Sequence, residues 1–146
     1  MIAVEIVVGI PLMLFMIDGN FKMQQACKFT VVSYLAIEEK RFPAAIEFAK
    51  MAIALTPDFF MGYMPLGRAQ SESGLHLEAV ETFRKEEAIR IRRHEEVLIV
   101  ESSFYLGKSL YPLKRYPEAK RALLQAEAGN DKKYAEEATK LLCQCP

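Results

Sequence analysis

Leu66-Gly67-Arg68-Ala69-Gln70-Ser71-Glu72-Ser73-Gly74-Leu75-His76-Leu77-Glu78-Ala79 decides how this chain folds. A Leu-Gly pair sits in one amphipathic run. Gly74 then supplies a polar turn, and Glu78-Ala79 leads into a second run. The layout returns downstream, where Leu106-Gly107 leads to Glu118-Ala119. A weaker copy lies upstream, where Val32-Ser33 leads to Ala45. The first interval, from Val32-Ser33 to Leu66-Gly67, is 34 residues, and the second, to Leu106-Gly107, is 40. Ala45, Ala79 and Ala119 repeat the same 34 and 40. One supersecondary unit is therefore used several times.

The chain has 146 residues, enough for one domain with a core that needs no staples. Nineteen Lys and Arg balance 19 Asp and Glu, so no net field draws it to nucleic acid or an anionic membrane. Cys27, Cys143 and Cys145 are an odd set, unlike a secreted disulfide framework. They suit a reducing compartment, and the expected location is cytoplasmic.

Residues 1–20 differ from the rest. Glu5 is the only charge from Met1 to Ile17, and Asp18-Gly19-Asn20 reads as a turn. No basic start or small-residue cleavage site marks a signal peptide. The stretch is short for a membrane span, which needs about 20 apolar residues, and Gly9 and Pro11 interrupt it. A buried strand or helix on the first repeat, a membrane anchor formed by residues 1–17, and the remnant of a longer protein all remain open.

From Phe21 onward the periodicity predicts helices. The first ends near Lys40, with Met23, Cys27, Val31, Tyr34 and Leu35 spaced three to four apart. Pro43 opens the second, where a missing N–H costs nothing, and Thr56-Pro57-Asp58 ends it, with Asp58 placed to cap the next. The third spans Phe59 to Glu72, and Pro65 inside it predicts a kink or a late start. His76 to about Arg92 is the fourth, with Ala79, Val80, Phe83, Ala88 and Ile89 facing inward. Glu95 to Tyr111 and Tyr116 to Ala128 follow. A charged helix from Lys132 to about Cys143 closes the chain.

A 34-residue helix–turn–helix unit is the tetratricopeptide repeat (TPR) spacing. The chain resembles that family from about Gln24 to its end. Tyr63, Leu66, Gly67, Ala79 and Phe83 stand at its motif positions in the strongest unit. Leu106, Gly107, Tyr116, Ala119, Leu123 and Ala126 do so in the next. Phe29, Val32, Ser33, Ala45, Ala52 and Pro57 do so in the first. Ala36, Ala49, Glu86 and Pro65 depart from the pattern. The resemblance implies an all-α, short right-handed solenoid with repeats at about 26–59, 60–99 and 100–131 and a capping helix at 132–143.

Catalytic chemistry is not legible. His76 and His94 lie in different elements, with no Ser or Cys arranged beside them. Cys143 and Cys145 offer two thiols where zinc needs about four ligands, so no metal or cofactor is expected. Arg84, Lys85, Arg90, Arg92 and Arg93 alternate with five glutamates, the pattern of a salt-bridged helix face and not of a nucleic-acid patch. The chain reads as a non-catalytic scaffold or adaptor for a protein or peptide partner.

The resemblance also implies that the first helix of each pair lines a concave groove. Tyr34, Met61, Met64, Arg68, Phe104, Lys108 and Tyr111 are the candidate contacts, with Tyr34, Arg68 and Lys108 at one shared position. Two cations among aromatic and Met side chains suit a peptide with apolar anchors and one carboxylate. The Lys-Asn-Asn-Lys-Arg clamp of chaperone-tail binders is missing: Thr30, Tyr34, Pro65, Glu101 and Tyr105 stand at its positions. A secretion chaperone of the three-TPR kind and a membrane-anchored assembly factor are the alternative functions. The apolar N-terminus and open groove also suit self-association.

Overall fold

The computed structural model describes residues 2–94 and 100–145, with side chains from residue 19 onward. The elements are α1 (Ile2–Glu38), α2 (Phe42–Leu55), a 3-10 turn (Phe60–Gly62), α3 (Tyr63–Glu72), α4 (His76–Arg92), α5 (Val100–Leu110), α6 (Tyr116–Glu127) and α7 (Lys132–Leu142). Consecutive helices pack as antiparallel pairs, α1 on α2, α3 on α4 and α5 on α6, with α7 stacked on the last pair. The array is an all-α solenoid.

Each pair closes in the same way. Lys40, Gly74 and Lys114 have φ values of 58°, 79° and 61° and end α1, α3 and α5. The residue after each donates its N–H five residues back: Arg41 to Ala36 O, Leu75 to Gln70 O and Arg115 to Leu110 O, at 2.8, 2.9 and 3.2 Å. This six-to-one bond satisfies a carbonyl that the helix end would otherwise orphan.

Inside each pair a small residue meets a complementary one. A Cβ on Gly67 would fall 2.6 Å from Phe83 Cζ, and one on Gly107 would fall 2.6 Å from Leu123 Cγ. In the first pair Ser33 replaces glycine, and its hydroxyl donates to Ala45 O at 2.7 Å. Ala49, fully buried, takes the place that Phe83 and Leu123 hold in their pairs. The larger residue on one helix is matched by a smaller one on its partner, so each interface stays close-packed.

Pro65 gives a late start. The 3-10 turn precedes it, and α3 begins only at Tyr63, so Pro65 falls in the first turn, where a missing N–H leaves no bond unmade. Pro43 and Pro117 sit at the starts of α2 and α6 for the same reason.

Four expectations need correction. The Asp18-Gly19-Asn20 turn is absent, and α1 runs through it. One Gly in a helix costs only about 1 kcal/mol, too little to stop a long one. The membrane-anchor expectation rests on residues 1–17, outside the described side chains. Among the described residues no helix is long and apolar enough to cross a membrane. Second, α1 buries Ala26, Thr30, Ser33, Ala36 and Ile37, while Cys27, Val31 and Leu35 face outward. Third, α4 buries Glu86 and exposes Ala88, because the 79–83–86–89 stripe passes through Glu86. Fourth, Asp58 caps nothing; Phe59 is the N-cap residue. The Asp58 carboxylate pairs instead with Arg92, and its carbonyl accepts from Arg93 at 3.0 Å.

α7 is capped by Asp131, whose carboxylate accepts from the backbone of Lys133 and Tyr134. Its inner face sets Ala138, Tyr134, Leu141 and Leu142 against the Phe83–Phe104–Leu123 core.

Candidate functional site

The backbones of α1, α3, α5 and α7 each approach the next along the array, whereas those of α2, α4 and α6 stay apart, and α4 meets α6 only through side chains such as the Arg84–Glu118 ion pair at 2.8 Å. The first helices of the pairs therefore line the inner, concave side. Repeat intervals of 34 and then 40 residues bring side chains from three pairs onto one surface there.

Arg68 on α3 is the centre of that surface. Its side chain is only 14 % exposed, between Glu38 of α1 and Glu101 of α5. Nη2 donates to Glu38 Oε1 at 2.7 Å, and Nη1 donates to Glu101 Oε1 at 3.3 Å. The guanidinium carbon lies 6.0 Å from the ring centroid of Tyr34 and 5.5 Å from that of Tyr105. Two aromatic faces and two carboxylates thus hold one cation that is nearly out of water. Arg68 Nε is buried without a hydrogen-bond partner among the described residues.

Glu101 also accepts from the Tyr34 hydroxyl at 3.4 Å, joining α5 directly to α1. Tyr134 of α7 completes the cluster, its ring 5.3 Å from Phe104 and 6.1 Å from Tyr105. Burial, then the Glu101 carboxylate, pushes the Tyr34 phenol well above its ordinary range. Burial raises Tyr105 as well, against the pull of Arg68. Tyr134 is pushed up to about 12 by burial and then by Glu101. All three phenols stay neutral at ordinary pH and serve as donors and apolar faces.

Of the other expected contacts, Lys108 donates to Glu72 Oε1 at 2.8 Å and lies 5.3 Å from the Tyr105 ring centroid. Tyr111 donates to Gln144 O at 3.2 Å and packs edge-on against Tyr116. Met61 is exposed on the 3-10 turn. Met64 and Phe104 are buried, and Phe104, at 2 % exposure, is a core residue before it is a contact. A shallow depression between α5 and α7 joins the edge of Phe104 to Lys108, Glu137, Lys140 and Leu141.

The structure therefore joins Tyr34, Arg68 and Lys108 on one surface and sets Met64 beneath it. Both cations are already neutralised within the chain, so a partner carboxylate at Arg68 must displace Glu38 or Glu101. The sequence reading placed Glu101 and Tyr105 at groove positions without giving either a role, and it missed Glu38, Glu72 and Tyr134. A signal was available: Arg68 stands 30 and 33 residues from Glu38 and Glu101, and Lys108 stands 36 from Glu72. Opposite charges about one repeat apart face each other across adjacent pairs.

Among the described residues, no group of three or more His, Cys, Asp and Glu side chains could hold a metal ion. All three cysteines are free thiols.

No protein-family model matches the chain. No curated protein matches it either. Solved structures do match. The Arabidopsis OM64 TPR domain superposes with a TM-score of 0.71 at 22 % identity, over 84 % of this chain and 98 % of that one. The Yersinia enterocolitica type III secretion translocator chaperone SycD, in its alternative dimer form, superposes with a TM-score of 0.69 at 12 % identity, over 84 % of this chain and 92 % of that one. The fold is that of TPR domains.

Proposed function

We propose that this chain is a non-catalytic protein-interaction scaffold that holds a partner segment on the concave surface of α1, α3 and α5. The observation that carries this reading is the cluster around Arg68, in which tyrosines from three of the inner helices converge on one cation and one carboxylate. Such a surface offers aromatic edges and charges of both signs. It suits an extended or helical segment with apolar anchors flanked by mixed charges, the anchors resting on Met61 and the Tyr111 edge. Because Glu38, Glu72 and Glu101 outnumber Arg68 and Lys108, a basic side chain on the partner is as well served as an acidic one.

Arg68 also braces the fold, so Lys108 and Tyr111 are the better probes. Binding of tagged wild type, Lys108→Glu and Tyr111→Ala to a peptide array tests the proposal, with melting curves as controls. Losses of about tenfold or more per variant, with melting unchanged, are expected for a contact residue near the centre of an interface. Undiminished binding by both variants refutes the concave site.

The likeness to SycD, which spans nearly all of that protein, supports a second reading as a three-repeat secretion chaperone. Under that reading the same surface shields an otherwise exposed segment of a secreted client. Prevention of client aggregation by a stoichiometric amount of chain would separate it from a passive adaptor.

A further inference from the structure

α1 carries an apolar face that none of the described residues covers. Val31 and Leu35 are 57 % and 58 % exposed, with exposed Val32 beside them. The repeat explains what this face is. One repeat on, Val31 and Leu35 correspond to Pro65 and Ala69; in the third they correspond to Tyr105 and Ser109. All four of those residues are buried. Ala69 packs with Ala36, Ile37 and Ala45, Tyr105 with Ala79 and Phe83, and the Ser109 hydroxyl bonds Ser71 at 2.9 Å. Ala69, Tyr105 and Ser109 therefore face the preceding pair. Among the described residues, the same face of α1 meets no other pair.

We propose that two copies of this chain meet there, with α1 packed antiparallel on the partner's α1 about a two-fold axis. The charges around the apolar centre favour this occupant. Exposed Lys28 lies one turn before Val31, and exposed Glu39 lies one turn after Leu35, beside the Glu38 that Arg68 holds. Antiparallel pairing sets Val31 against the partner's Leu35 and Lys28 against the partner's Glu39, twice over by symmetry. Parallel pairing would set like charges together. A two-fold contact is self-complementary only when its charge pattern reverses end to end, and this one does. Val31, Leu35, Lys28 and Glu39 lie outside the Arg68 cluster, so the proposal does not depend on the partner-binding reading. The α1 face alone is small beside the roughly 800 Å² per partner of a standard interface, so a dissociation constant in the micromolar range is expected.

Sedimentation of the full-length chain across the micromolar range tests the proposal. A monomer–dimer equilibrium is expected, and Leu35→Glu should weaken it about tenfold or more. Lys28→Glu should also weaken it, and Lys28→Glu with Glu39→Lys should restore it. The substituted side chains are exposed, so helical circular dichroism should be unchanged in every variant. A chain that stays monomeric, a dimer that survives Leu35→Glu, or a charge swap that fails to restore association would each overturn the proposal.

Discussion

The ring of Phe83 occupies the space that a side chain at position 67 would need, with Cζ 2.6 Å from where a Cβ on Gly67 would stand. Phe83 is itself buried on all sides and cannot swing away. Gly67→Ala should therefore destabilise the chain by about 1–3 kcal/mol, the usual cost of overpacking a close-packed core. Gly107→Ala should cost a similar amount through Leu123. Thermal melts of the two variants check this. Native-like melting of Gly67→Ala would mean that α3 and α4 are less tightly apposed than described.

The left-handed residues that end α1, α3 and α5 give opposite effects on substitution. Gly74→Ala should lose about 1 kcal/mol, because a Cβ is strained at φ 79°. Lys114→Gly, at φ 61°, should be neutral or stabilising by a few tenths of a kcal/mol, strain relief offsetting the looser unfolded chain. Urea denaturation resolves the signs. A loss on Lys114→Gly as large as that on Gly74→Ala would contradict the cap assignment.

Arg68 ties three repeats together. Arg68→Met should destabilise by about 2 kcal/mol, below the 3–5 kcal/mol of a fully buried broken pair because Glu38 can rehydrate. A double-mutant cycle with Glu101→Gln should show coupling of about 1 kcal/mol or more. Simple additivity would reduce the contact to a surface ion pair.

Glu86 is 1 % exposed and accepts from Arg90 Nε at 2.6 Å. Burial raises its pKa, with Arg90 opposing. A carboxyl raised in the folded state binds its proton more tightly there than when unfolded. Its contribution is thus fully present below the unfolded value of about 4.3 and is lost as pH rises through the higher folded value. Glu86→Gln removes this dependence. The stability of wild type relative to Glu86→Gln should fall as pH rises across that window. Parallel pH profiles for the two proteins would exclude the effect.

The repeat was legible because close packing of helix pairs demands particular residue sizes at fixed intervals. Gly67, Gly107, Ala79 and Ala119 do in the structure what their spacing implied. The face of α1 was not legible. Val31 and Leu35 look like core residues because their equivalents are core residues, and periodicity cannot tell which helix faces have a neighbouring pair to pack on. Glu86 was visible only as a departure from pattern, since burial of a carboxylate depends on Arg90 lying one turn away. Lys108 and Arg68 could be placed on the concave side, but not known to be neutralised there. Their carboxylate partners come from neighbouring repeats, and only a three-dimensional register fixes which ones face them.

The aromatic cluster also gives the molecule a built-in optical probe. The chain has no tryptophan and six tyrosines. Three of these, Tyr34, Tyr105 and Tyr134, gather around Arg68 and Glu101 on the inner side. Much of its near-ultraviolet dichroism and intrinsic emission should therefore originate at that surface. An occupant of the concave side would announce itself spectroscopically without any label, while contact at α1's outer face would leave those bands nearly silent.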